Sequence, residues 1–512
     1  MTTPPGPALV TRTPHRLRPD SRRVVTRLFL PGQEMLVESE SRAAGVVRRI
    51  LALSDNEVAC ALDAVLTGFG SRHRRLRATL EEHFELVAHR VAAGTPPTPE
   101  RRLLMGAYFT NEYSIEAAAL CNPSAVLHPD QNGTGPGEAR FLMSVRAVGE
   151  GHISSIGFRT GVIDRGGEVH VDDPGPFLET GRRLPGLYER EVFRGKLAEL
   201  GAQKESAEFV LDSLPAQFTP DQLEHALADL GYQIVTHSGV RETVEHFRSI
   251  AVSNYDVEFP EDSTIAERVL LPMAPAESHG MEDARFVRFV DDDGTVTYYA
   301  TYTAFDGVHI APQLLETADF RRFRITQLTG PAAKNKGLAL FPRRIGGRYV
   351  ALSRWDRERN SIVSSPDGRA WEKAATIQSP ERAWELLQLG NCGSPVETPD
   401  GWLVLTHGVG PMRVYSIGAV LLDLDDPTRM LAHLPTPLLV PDDSERDGYV
   451  PNVVYSCGPL LHGDSLMIPY GISDATIGIA VVHLGELLDR LRAEAPGASS
   501  RFRPGPGRPM GG

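Results

Sequence analysis

The segment His279-Gly280-Met281-Glu282-Asp283-Ala284-Arg285-Phe286 gathers two carboxylates and a guanidinium within four residues, directly ahead of an aromatic-rich stretch. Carboxyl groups so placed can deliver or accept protons, and the same residues can also tie a turn together as an ion-pair network. Cationic chemistry is available from Arg146, from Lys336 in Asn335-Lys336-Gly337, and from Arg354 in Ser353-Arg354-Trp355-Asp356-Arg357. A guanidinium fork or an ammonium point charge can pair a carboxylate or hold another anion. Read singly, Arg354 also fits a strand-end arginine paired with Asp356, and His407 a core histidine satisfied by backbone. The four cysteines, Cys60, Cys121, Cys392 and Cys457, stand far apart and read as free thiols. No His/Cys/carboxylate spacing suits a metal, so no metal or organic cofactor is expected.

A repeat delivers these residues. Turns at Asp293-Gly294, Gly346-Gly347, Asp400-Gly401 and Gly463-Asp464 each precede a hydrophobic strand run. Unit starts near Asp283, Ala339, Ser394 and Asn452 are spaced by about 56, 55 and 58 residues, the period of a propeller blade. An earlier copy runs from Asn122-Pro123-Ser124 through residues 140–146 to residues 153–161. Five copies predict an all-β fold, a five-bladed β-propeller over residues 111–490. Residues 24–110 are expected to form a helical amino-terminal region, with residues 1–23 and 491–512 disordered. The charge run at residues 72–77 reads as a solvated helix face. Asn122 and Asp283 are about 160 residues apart, about 100 more than one period, which predicts a helical insertion over about 187–235 between the first two blades.

The 512 residues carry a net charge of -13, which argues against nucleic acid as a partner. No signal-peptide-like run and no stretch of about 20 apolar residues occurs, so a cytoplasmic protein without a membrane span is expected.

In order along the chain, Glu282-Asp283-Ala284-Arg285, Asn335-Lys336-Gly337 with Leu340-Phe341-Pro342, Thr406-His407-Gly408-Val409 with Tyr415-Ser416-Ile417-Gly418-Ala419, Tyr449-Val450-Pro451-Asn452, and Tyr470-Gly471-Ile472-Ser473-Asp474 resemble glycoside hydrolase family 130. These are the mannoside phosphorylases and related β-mannosidases. The resemblance implies a five-bladed propeller with its active site at the central opening. It implies Asp283 as the acid, its proton passing through a hydroxyl of the −1 mannose to the glycosidic oxygen. Lys336, Arg354, His407 and Tyr415 would bind phosphate, and Arg146 would lie near the −1 sugar or the phosphate. Strand alternation would turn Glu282 and Arg285 away from Asp283, leaving them to orient the site. Asn122, Tyr302, Asp306 and Asp474 would contact sugar, although Tyr302 equally suits blade packing. Trp355, Trp384 and Trp402 are further sugar platforms, while Trp371 reads as structural.

Two departures stand out. Ala284 replaces a usual proline, and Ser154-Ser155 replaces Ser-Arg, with Arg159 as a possible substitute for the missing cation. The implied activity is an inverting phosphorylase that uses inorganic phosphate as co-substrate and β-mannosides as donors. The alternatives are a β-mannosidase, with Glu397 or Glu116 as conceivable bases, and a non-catalytic propeller that binds glycan or protein. Related enzymes imply a homo-oligomer formed through the amino-terminal helices. Linkage and acceptor are left open.

Overall fold

Short hydrophobic runs separated by Asp-Gly and Gly-Gly turns fold as successive antiparallel meanders. They appear in a computed structural model that describes residues 9–31, 41–91, 96–233, 239–372 and 374–494. The first meander contains Ala119–Leu127, Ala139–Val148 and Ser154–Ile163. The next contains Gly280–Val290, Val296–Phe305, Ile310–Thr317 and Arg322–Gln327. A pairing of Gly280 with Ser154 joins the two into a 12-stranded sheet. A 4-stranded sheet follows from Lys336–Leu340 to Ala375–Gln378, and then a 5-stranded one from Gln388–Asn391 to Met430–His433.

The last meander is built from both ends of the described chain. Val10–Leu17 pairs antiparallel with Thr476–His483, beside Ser465–Ile472. Residues 10–17 were expected to be disordered. Their alternating side chains, with Thr13 Oγ1 donating to the Ile479 carbonyl at 2.9 Å, instead complete a sheet edge. Val24–Leu28, expected within the helical amino-terminal region, is instead a strand paired with Thr110–Ser114. Residues 1–8 and 495–512 lie outside the described residues.

The inner strands share one irregularity. In Ala119–Leu127, residues 122–123 face one partner residue; residues 283–284 and 337–338 do the same in the next two inner strands. Asn122, Asp283 and Gly337 there have φ of 49°, 58° and 85°. A bulge with a left-handed first residue bends the strand and re-aims the side chain, and Asn and Asp tolerate that conformation better than other non-glycine residues. Neighbouring inner strands are pinned to one another: Phe286 N donates to Ser124 Oγ at 3.0 Å and Asn391 Nδ2 to the Gly337 carbonyl at 2.6 Å. The chain then returns to its first meander, where Cys457 N donates to the Pro123 carbonyl at 2.8 Å and Gly458 bridges to Ser124.

Two helical groups have separate cores. Helices Arg42–Leu51, Asp55–Phe69, Leu76–Val87 and Pro99–Tyr108 pack around Val47, Ile50, Phe84, Leu104 and Met105. Ser54 and Glu57 form a reciprocal cap at the second of these. A Cβ on Gly106 would sit 1.8 Å from the Leu80 carbonyl oxygen, so the crossing of the last two helices requires glycine there. The residue 72–77 run is not a solvated helix face. It begins in the turn before Leu76, and Arg72 and His73 pair with Glu112, Arg74 with Glu267 and Arg75 with Asp262. These pairs pin the helical group to the β-structure. The insertion holds Arg190–Glu199, Lys204–Asp212, Pro220–Gln233 and Gly239–Val252 around Phe193, Leu211 and Phe247. It therefore continues to Val252 rather than ending near 235, because Val240, Phe247 and Ile250 repeat the buried helical spacing.

Candidate active site

The bulged ends of the inner strands converge on a cavity of about 180 Å³, the space of about six waters. Asp283 forms part of its wall. The left-handed backbone at Asp283 turns the carboxylate into the cavity, where Oδ1 accepts from Asn122 Nδ2 at 2.6 Å and lies 3.4 Å from Arg146 Nη1. Arg146 Nη2 donates to Glu282 Oε1 at 2.5 Å, and Lys336 Nζ donates to Glu282 Oε2 at 2.6 Å. Glu282 and Asp283 thus share Arg146, and the expected separation onto opposite faces does not occur. The bulge breaks the two-residue alternation at that point. Arg285 lies beneath, its Nη1 donating to the Asp283 carbonyl at 3.1 Å and its Nη2 to Tyr455 Oη at 2.6 Å.

Cations dominate the remaining wall. Lys336 pairs in register with Arg354 on the next strand, which sets two positive groups side by side. Arg354 does not use Asp356, whose carboxylate instead takes Arg359 at 2.6 Å. Its Nη1 lies 3.0 Å from His407 Nε2, and His407 Nδ1 lies 3.1 Å from the Asn391 carbonyl. Burial, then the nearby Arg354 and Arg285, hold the His407 pKa well below the ordinary histidine value, so the ring is neutral. With its Nδ1 proton on Asn391, Nε2 accepts from Arg354. His407 lies behind Arg354, outside the cavity wall, and acts as its orienting acceptor rather than as a direct donor. Tyr415 does line the cavity and stacks on His407 with ring centroids 6.0 Å apart.

Two carboxyl groups in the wall are pushed in opposite directions. Burial raises Asp283, but Arg146, Lys336, Arg285 and the Asn122 hydrogen bond outweigh it and leave the carboxyl below the ordinary aspartate range. Asp474 is pushed up to about 6 by burial, which Arg146 only partly offsets and the Asp283 charge reinforces. Environments that separate two titrating groups in this way are suited to acid–base work. The buried Oδ1 of Asn122 has no hydrogen-bond partner among the described residues.

The sequence model of family 130, described as beta-1,4-mannooligosaccharide phosphorylase, matches residues 236–493. A 1,2-beta-oligomannan phosphorylase from Thermoanaerobacter sp. (strain X514) is 35% identical over 224 residues, covering 41% of this chain and 71% of the relative. The chain belongs to glycoside hydrolase family 130. A beta-1,2-mannobiose phosphorylase from Listeria innocua serovar 6a is 33% identical over 233 residues, 44% of this chain and 64% of that protein. The solved structure of the Listeria innocua beta-1,2-mannobiose phosphorylase in complex with beta-1,2-mannobiose matches with a TM-score of 0.43 at 22% identity, covering 75% of this chain and 94% of the other.

Within this family-130 chain, two expected sugar contacts are elsewhere. Tyr302 is buried in the sheet core and donates its hydroxyl to Glu277, because its strand position faces the neighbouring layer. Asp306 caps the hairpin before Ile310–Thr317, accepting from the Val308 and His309 amides at 2.8 and 2.6 Å. Arg159 does not replace the missing cation, since its Nη2 donates to the buried Glu116 at 2.7 Å. Trp371 and Trp402 are fully buried, whereas Trp355, next to Arg354, is 36% exposed. Sequence reasoning missed Arg413 and Tyr455, both in the cavity wall. Arg413 sits at the tip of a tight loop with φ 58°, in Gly410-Pro411-Met412-Arg413 just ahead of the Tyr415 strand. That glycine-proline turn was the available signal.

Proposed function

We propose that this chain is an inverting phosphorylase that cleaves β-mannosides with inorganic phosphate, giving α-mannose 1-phosphate and a shortened acceptor. The observation that carries the reading is one ionised aspartate set in a small cavity whose wall also holds Arg146, Lys336, Arg354 and Arg413. A hydrolase gains nothing from such a cradle, whereas a phosphate dianion needs it. The mannoside phosphorylase names of the family-130 relatives support the same substrate class.

Phosphate bound by Arg354, Lys336 and Arg413 offsets the positive field that holds Asp283 ionised, and so raises its proton affinity. A phosphate oxygen then attacks the anomeric carbon from the face opposite the leaving oxygen. The glycosidic C–O bond breaks with its electron pair on the acceptor oxygen. The Asp283 proton passes through a hydroxyl of the −1 mannose to that oxygen. Asn122 and Asp474 hold the sugar hydroxyls, and Glu282 fixes Lys336 and Arg146.

The hydrolytic alternative requires a carboxylate base in the cavity besides Asp283; Asp474 is the carboxyl in that position, and the two bases named from the sequence are engaged elsewhere. Glu397 is engaged by Arg343 at 2.8 Å and Glu116 is buried between Arg23 and Arg159, so neither serves. We also read the successive meanders as five blades of one propeller, supported by the repeated inner bulges and the bridge from Gly458 back to Ser124.

Product analysis tests the activity. Purified protein is incubated with β-1,2-, β-1,3- and β-1,4-mannobiose, each with and without phosphate. Phosphate-dependent mannose 1-phosphate is expected, and the productive substrate identifies the linkage. Free mannose at the same rate without phosphate overturns the proposal.

A further inference from the structure

A second, larger cavity of about 950 Å³ lies away from the central one and shares no wall residue with it. Strand Val10–Leu17 and the turn after it form one side, and the loop at residues 172–176 with the turn at Ser71 and Arg72 forms the other. Six arginines and three aspartates line it, on a chain whose net charge is -13.

Two of the guanidiniums are buried and share a single carboxylate. Arg23 Nε donates to Glu116 Oε1 at 3.0 Å, and Arg159 Nη2 donates to the same oxygen at 2.7 Å. Arg23 and Arg159 are 3% and 4% exposed, so two buried positive charges rest on one buried carboxylate, with Asp20 at the wall adding a weaker attraction on Arg23. Burial and the repulsion from Arg159 lower the Arg23 pKa to about 10. Buried charge that is only partly compensated is costly and favours an anion at the open side. Arg18, on the cavity wall, makes no ion pair among the described residues. Arg22 projects into solvent and holds Asp20 at 2.9 Å. The aspartates are partly used: Asp172 accepts from Thr160 Oγ1 at 2.7 Å and Asp173 from the Gly175 amide at 2.9 Å.

We infer that this cleft binds a small molecule carrying a phosphate or diphosphate group, at a site separate from the central cavity. Planar guanidinium forks match phosphate oxygens in pairs, and the volume admits a sugar phosphate or a nucleotide. The two sources share the phosphate chemistry, and the probes below separate them.

The test is isothermal titration of the full chain, at low ionic strength and without added metal, with inorganic pyrophosphate, glucose 6-phosphate and adenosine 5′-diphosphate. Two variants are compared with the wild type: Arg18→Ala/Arg22→Ala in the cleft and Lys336→Ala in the central cavity. Circular dichroism and a melting curve check that both fold. At least one probe is expected to bind, with Kd under about 1 mM, at a site that weakens at least tenfold in the cleft variant and is unchanged in Lys336→Ala, apart from any central-cavity site that Lys336→Ala removes. Preference for glucose 6-phosphate over the nucleotide assigns the sugar-phosphate source, and the reverse assigns the nucleotide. The inference is overturned if none of the three binds, if all binding survives intact in the cleft variant, or if all of it disappears in Lys336→Ala.

Discussion

Asp283 has a carboxylate that Arg146, Lys336 and Arg285 keep ionised and that the proposed chemistry needs protonated. The two requirements meet if phosphate binding is coupled to proton uptake. Titrating phosphate near neutral pH in two buffers of different ionisation enthalpy should show net uptake in the wild type and less uptake in Asp283→Asn; equal uptake in both would separate the aspartate from the coupling. The same variant should lose turnover by about 10²–10⁴-fold while still binding mannoside. His407→Ala should act differently, because it removes the acceptor that aims Arg354. The expected change is a phosphate KM raised about tenfold or more with a smaller effect on the mannoside KM, read from initial rates. Asp474 carries a pH signature of opposite sign. Its folded pKa of about 6 exceeds the unfolded value, so its contribution to stability is full below about pH 4 and is lost as pH rises through about 6. Asp474→Asn should therefore be more stable than wild type at pH 8 by about 1–3 kcal/mol, with no gain at pH 4, in urea unfolding followed at both pH values. The family-130 resemblance, carried by ordered motifs, made Asp283, Arg146, Lys336, Arg354, Asn122 and Asp474 legible as one site, and all six line the cavity. The local pattern could not show that Tyr302 faces Glu277, since a strand residue chooses its face by register, and register depends on the neighbouring strand.

At the scale of elements, the bulge is what makes the site. It sets Asn122 and Asp283 in the left-handed region, so the inner strands end with side chains aimed at a common point. Period-two reasoning places Glu282 and Asp283 apart, and the extra residue of the bulge brings both onto Arg146. Turn residues revealed where strands end, but nothing in a single strand's composition announces where it bulges. The tight packing of inner strands sets a further test. Gly393 has φ 103°, and a Cβ there would lie 2.2 Å from the Cys457 carbonyl oxygen. Gly393→Ala should cost about 2–4 kcal/mol in urea unfolding, from strain and clash together; a change under about 0.5 kcal/mol would mean these strands are not held as described.

Across the whole molecule, the repeat spacing exposed the β-portion, while the amino-terminal strand escaped because Pro14, Arg12 and Arg16 sit in a Pro- and Arg-rich terminus that reads as disordered. Its partner lies more than 450 residues away, and local composition carries no trace of such a pairing. Removing residues 1–17 should expose the edge of Thr476–His483, lower the melting temperature by several degrees and promote association detectable by light scattering. Unchanged melting and scattering would show that the edge is protected by something else.

That strand pair also has a mechanical consequence. Val10 lies opposite Val482 and Leu17 opposite Ile477, so the chain enters and leaves the pair at the same end. Tension applied between residues 9 and 484 would open the ladder like a zipper, one hydrogen bond after another, rather than shearing all of them at once. In a pulling experiment the sheet that joins the two ends would yield first and at low force, with the rest of the β-structure still folded behind it.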